Sequence, residues 1–233
     1  TDSGTVTVGG NLSATTDANN GVIDLGTAAV DGTVALTTNG TGNATIVNDA
    51  GLNLAASTMG GTFSGTATTG NITDSGALAI TGTTTLVTSA NDATITLDTT
   101  TNAFTGALTI TTNDSSGTDA DVTIDGGTTA LIIAASTIDG DLTLTSGNSS
   151  GITDSGTVTV GGNLSATTDA NSGVINMGTM AVDGSFTLAP NSTGAVTIVN
   201  DAGLNLAAST MGGTFSGTAT TGDITDSGNL AIT

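Results

Sequence analysis

The stretch TDSGTVTVGGNLSATTDAN occupies Thr1–Asn19 and returns, letter for letter, at Thr153–Asn171. Within it, apolar residues alternate with Thr or Ser on both sides of a glycine pair: Val6-Thr7-Val8, then Gly9-Gly10, then Leu12-Ser13-Ala14. Alternation over three to five residues is the period of a short β-strand with one buried face. A glycine between two such strands predicts a corner, where its access to positive φ bends the chain. A unit of two or three short strands cannot bury its apolar face alone, so the units have to stack.

Working outward, residues 153–233 repeat residues 1–81 at a constant offset of 152, with 67 of the 81 positions identical. The run Thr45–Gly70 recurs unchanged as Thr197–Gly222. The differences sort by face. Leu25 becomes Met177, Ala28 becomes Met180, Val34 becomes Phe186 and Ala44 becomes Val196, so apolar slots stay apolar while their volume changes. Polar positions drift more freely: Asn20 becomes Ser172, Asp24 becomes Asn176 and Thr38 becomes Pro190. A buried row beside a solvated row produces that split, whereas a disordered spacer has no reason to keep its slots apolar.

A shorter motif lies inside the long one, as in Ala28-Ala-Val-Asp-Gly-Thr-Val-Ala-Leu36 and Ile138-Asp-Gly-Asp-Leu-Thr-Leu144. Its glycine anchors fall at 10, 32, 61, 82, 106, 140, 162, 184 and 213. Read as one anchor per unit, they predict an all-β chain folded as a parallel β-helix (β-solenoid) with about 20–34 residues per rung. Residues 1–152 are then a first six-rung module and 153–233 the start of a second copy. Together they form one continuous rod, a fragment of a longer array. Rungs about 4.8 Å apart give a module of about 29 Å. Spare residues of the longest units are expected to leave as surface loops, foremost Thr111–Gly117. The TDSG tetrapeptides at Thr1, Thr73, Thr153 and Thr225 read as tight turns. Their Asp and Ser oxygens would bond nearby backbone N–H groups, with Gly in the left-handed position.

Composition narrows the function. Lys, Arg, His, Glu, Gln, Cys, Trp and Tyr are absent; all 20 acidic residues are Asp and the net charge is −20. Without most strong helix formers, a helical fold is excluded. An uncompensated acidic surface repels nucleic acid and anionic lipid, so neither is an expected partner. No apolar run is long enough to span a bilayer, and no basic n-region precedes an apolar segment.

Two chemistries use Asp alone. The segment Thr118–Asp125 brings Asp119, Asp121 and Asp125 close in sequence, and Asp139 and Asp141 follow. Hard carboxylate oxygens suit calcium, although the spacing matches neither an EF-hand loop nor a calcium β-roll. The pairs Asp119/Asp121 and Asp139/Asp141 also raise glycoside hydrolysis, which needs two carboxyls about 5–9 Å apart. With no cation to tune a carboxylate, these Asp residues read instead as turn caps and solubilising charge. The expectation is a protein without catalytic residues and without a cofactor other than calcium. Thr-x-Thr triplets would bind ice only on rungs of equal length, which the unequal spacings argue against. The four Phe residues read as core.

The run Ile152-Thr-Asp-Ser-Gly-Thr-Val-Thr-Val-Gly-Gly-Asn-Leu-Ser-Ala166 resembles the rod repeats of filamentous-haemagglutinin-type large exoproteins and adhesins, and the likeness covers essentially the whole chain. It implies a right-handed parallel β-helix, export across a bacterial outer membrane, and an extracellular or cell-surface location. It also implies a structural role in fibres, surface display, adhesion or biofilm matrix. Nothing here matches the separate secretion domain of that family. Expected partners are further copies, joined end to end or continued covalently, and a surface receptor. The alternative is a ligand- or calcium-binding adhesin module acting through segment 111–125.

Overall fold

A computed structural model describes residues 1–115 and 119–233. Among the described residues there is no helix, and every ladder pairs its strands in parallel. The chain winds into a β-solenoid of about 11 coils with about 21 residues per coil. Each coil contributes to a first sheet and to a second; where a third short strand is present it joins one of them, as Ser57–Met59 joins the second and Val158–Val160 the first, or forms the small separate pair Ser209–Met211 with Leu230–Ile232. In the first sheet, coils 1 to 4 enter as Val6–Val8, Ile23–Val30, Ala44–Asn48 and Phe63–Ala67; in the second, as Leu12–Thr15, Thr33–Thr37, Leu52–Leu54 and Ile72–Asp74.

The alternation seen in the sequence becomes a dry column. In the second sheet Leu52, Ile72, Ile95, Val122, Leu142, Leu164, Phe186 and Leu206 stack in register on successive coils, all of them buried. Each such side chain contributes about 1.5–3 kcal/mol by leaving water. The alternate positions Thr73, Thr96, Thr123, Thr143, Ser165 and Thr187 form the matching outward ladder. As expected, Phe63, Phe104 and Phe186 are buried, and Phe215 packs against the core.

The coil count departs from the six-rung expectation. Stepping from Val6–Val8 through its successive partners to Val158–Val160, its equivalent 152 residues on, crosses seven coils. The module is therefore about 34 Å long. The anchors number six per module because the glycines belong to two different corners. Gly10 and Gly32 stack at the corner from the first sheet to the second, as do Gly140, Gly162 and Gly184; Gly42, Gly61 and Gly82 stack at the corner leading back. The long spacings from 32 to 61 and from 106 to 140 are thus changes of corner rather than loops, and together they conceal one coil.

The corner glycines also serve a different purpose from the expected one. None of these anchors has positive φ; Gly40, Gly127, Gly151 and Gly222 do, with Asn20, Asp92, Asn171, Ser172 and Ser192. At every anchor except Gly10, which has open space beside it, glycine is needed because coils touch: a Cβ on Gly82 would lie 2.5 Å from the Gly61 carbonyl. In the TDSG motif Gly76 is likewise confined by space, since its Cβ would lie 2.6 Å from the Ala56 nitrogen.

Successive registers show one further feature. Val34 pairs with Leu54, and Leu54 with Asp74, while Phe186, the repeat equivalent of Val34, lies at the head of the column that begins at Leu52. Each module therefore slips by two residues across the sheet. A slip of two keeps every side chain on its own face; a slip of one would turn the core outward.

Candidate functional site

Carboxylates and carboxamides in this molecule serve first as clasps between coils. Asn11, Asn43 and Asn71 each accept, through Oδ1, the N–H of Thr33, Thr62 and Thr94 on the following coil at 2.9 Å. Asp121 accepts from Asp141 N at 2.8 Å, Asp141 from Asn163 N at 2.6 Å, and Asn163 from Ser185 N at 2.9 Å. The TDSG aspartates act across coils too, and not within a local turn. Asp2 accepts from Thr27 N, Asp74 from Asp98 N and Thr99 N, and Asp154 from Gly178 N and Thr179 N. The Thr27 N–H, and next its hydroxyl, hold the Asp2 carboxyl below the usual carboxylate range.

The five candidate ligands for calcium do not meet at one point. Asp121 and Asp141 stack on neighbouring coils, each bound to a backbone N–H of the next. Asp139 accepts from Asp114 N at 2.9 Å while donating its own N–H to Thr112 Oγ1. Asp119 receives the Asp121 N–H on its main-chain carbonyl. Asp125 ends the strand Val122–Asp125, and its carboxylate accepts from Gly127 N at 2.7 Å. Four residues of strand separate Asp125 from Asp121, about 13 Å. Among the described residues no group of three or more acidic side chains is placed to hold a metal ion.

Two local environments raise carboxyl pKa values. Burial pushes Asp125 up, partly offset by the Gly127 N–H, and the charges of Asp169, Asp98 and Asp74 push it further in the same direction. Asp92 is raised chiefly by a hydrogen bond with the Asp114 carboxyl, which requires a shared proton. The expected loop Thr111–Gly117 begins later than anticipated, because the strand Leu108–Asn113 runs through Thr111 and Thr112. Ser116 and Gly117 lie outside the described residues.

Sequence reasoning missed a groove that occurs in both copies. Asn48 is buried at the end of its strand; its Oδ1 accepts Val30 N at 2.8 Å, and its Nδ2 donates to Val30 O and Gly51 O. Its amide thereby takes the N–H and the carbonyl of Val30, and beyond Asp49, whose N–H still bonds to Ala28 O, the chain leaves the ladder until Leu52. What results is a notch of about 320 Å³ between the corner at Asp31 and the strand at Thr73, lined by the part-exposed Ala50 with the buried Val30 and Leu52 behind it. Asn200 makes the same three bonds in the second copy, beside a notch of about 380 Å³ with Asp183, Asn205 and Thr225 in the equivalent places. The available signal was Asn-Asp-Ala-Gly at 48–51, inside the longest run that both copies keep without change.

Comparison with known proteins agrees with the repeat architecture. The family model described as "Repeats of unknown function (DUF5649)" matches residues 41–111, 119–179 and 193–233, well over half of the chain. No curated protein and no solved structure matches it.

Proposed function

We propose, from the premise that this chain belongs to the DUF5649 family of repeats, that it is the rod segment of an extracellular, filament-forming protein acting in surface display, adhesion or matrix formation. The observation that carries this reading is the seven-coil module, whose first 81 residues recur with their buried apolar rows and the Asn11 clasp, kept as Asn163, in place. Such a column gives length for little sequence information, because each coil needs only its neighbours. Its product is reach, not catalysis.

Two properties support the extracellular reading. A wholly acidic exterior opposes sideways clumping of long rods, and a chain without Lys or Arg offers trypsin-like proteases no site. Among the described residues no helix is long and apolar enough to cross a membrane. Elongation proceeds by stacking, since each coil offers the next a row of main-chain N–H and C=O groups. Further coils of the same chain or a second copy would serve equally.

Immunogold labelling of the producing cells, combined with electron microscopy of the native material, tests the proposal. Label on surface-attached rods with an axial repeat of about 34 Å is expected; label confined to the cell interior, or globular particles, would sink it.

A further inference from the structure

We infer that the recurring notch beside Asn48 and Asn200 binds a neutral pyranose unit of a polysaccharide, one per module, adding recognition to the structural role. The notch has the two-sided chemistry of a sugar ring. The part-exposed Ala50, with the buried Val30 and Leu52 behind it, offers a small apolar patch to the C–H face. Around it stand acceptors and donors together. Asp31 supplies a carboxylate, and the buried Asn53 Oδ1 has no hydrogen-bond partner among the described residues. The N–H groups of Ala50 and Gly51 make no hydrogen bond among the described residues, and neither do those of Ala202 and Gly203. A buried carbonyl left unmatched costs about 1–3 kcal/mol, so a donor from outside gains that back on binding. Sugar hydroxyls donate and accept at once, which is what a carboxylate and a carbonyl beside free N–H groups require.

Competing ligand classes fit less well. An ammonium group has no use for the N–H donors. Calcium has no use for them either, nor for the apolar patch. Acidic sugars are repelled by Asp31, by Asp183 and Asp223 in the second notch, and by the net charge of −20. The notch volumes lie at the lower end for small-molecule sites, which suits one ring and not an extended chain lying flat. Among the positions that line both notches one differs: Asn71 in the first is Asp223 in the second. Asn71 already accepts Thr94 N through Oδ1 and keeps its Nδ2 as a donor, whereas Asp223 can only accept. The two sites should therefore prefer different orientations of the same sugar.

The test is saturation-transfer NMR and calorimetry on the whole chain with cellotetraose, maltotetraose, mannotetraose and N-acetylchitotetraose. At least one should bind at two sites per chain, with little change in about 0.5 M NaCl because the ligand is neutral. D31A should weaken one site about tenfold or more and D183A the other, with both lost in the double variant. Asp31 makes no side-chain hydrogen bond among the described residues, so the melting temperature of D31A should match the parent and separate lost binding from lost folding. N53A should likewise leave the melting temperature unchanged or raised while weakening the first site. No binding by any of the four sugars at about 10 mM, or binding unchanged in the double variant, overturns the inference. Calcium occupying the notch while all four sugars stay silent overturns it as well.

Discussion

Asn48 shows how much one side chain can decide. Its amide satisfies a buried N–H and two carbonyls at 2.7–3.0 Å. Asn48→Ala is expected to cost about 2–4 kcal/mol and to lower the melting temperature measurably by circular dichroism. Asn48→Asp should be worse at pH 7 than at pH 4, because it removes both amide donors and buries a charge. A smaller prediction uses the difference between the copies. Asn43 clasps Thr62, whereas its equivalent is Ala195. Ala195→Asn should restore a bond to Thr214 N and stabilise the chain by about 0.5–1 kcal/mol; a fall in melting temperature would show that the second copy has no room for it. The apolar slots were legible from the sequence because burial leaves a period of two. The clasps were not, since Asn and Asp read equally well as turn residues, and only the stacking shows that their partners lie about one coil away.

At the scale of the element, the strand Val122–Asp125 joins two opposed demands. Val122 and Ile124 belong to the core column, while Asp125 ends the strand partly buried and close to other carboxylates. Because the folded state raises its pKa, its contribution to stability is full below the unfolded value of 3.8 and is lost as pH rises through the higher folded value. Asp92 acts in the same direction, and Asp2, whose pKa is lowered, in the opposite one, losing its contribution as pH falls below 3.8. Lowering the pH from 7 towards the folded pKa of Asp125 should therefore raise the melting temperature. Asp125→Asn, which keeps an acceptor for Gly127 N, should stabilise the fold at pH 7 and flatten that profile; an unchanged profile would mean that other carboxylates dominate. In the column itself, Leu142→Ala should cost about 2–5 kcal/mol, since its neighbours Val122 and Leu164 are fixed by the ladder and cannot close over the gap.

At the scale of the whole molecule, every charge–charge term between side chains is repulsive, because no side chain carries a positive charge. Most proteins lose salt bridges as ionic strength rises; this one loses only repulsion. Raising NaCl from about 10 mM to 0.3 M shortens the Debye length from about 30 Å to below 8 Å and should raise the melting temperature by about 5 °C. Insensitivity to salt would mean that the carboxylates along the rod are already screened by their spacing and hydration.

What the sequence determined by itself was the class of object: period-two alternation, internal repetition and the loss of helix formers leave a stacked parallel coil as the way to bury those short apolar rows. The number of coils per module, the two-residue slip and the true use of the corner glycines were decided only in three dimensions. Gly32 and Gly61 look alike along the chain yet stand at different corners, and a glycine required by contact is spelled the same as one required by φ. The notch is tertiary for the same reason. Asn48 makes it by bonding to Val30, 18 residues away, and no local pattern records where a side chain will find its partner.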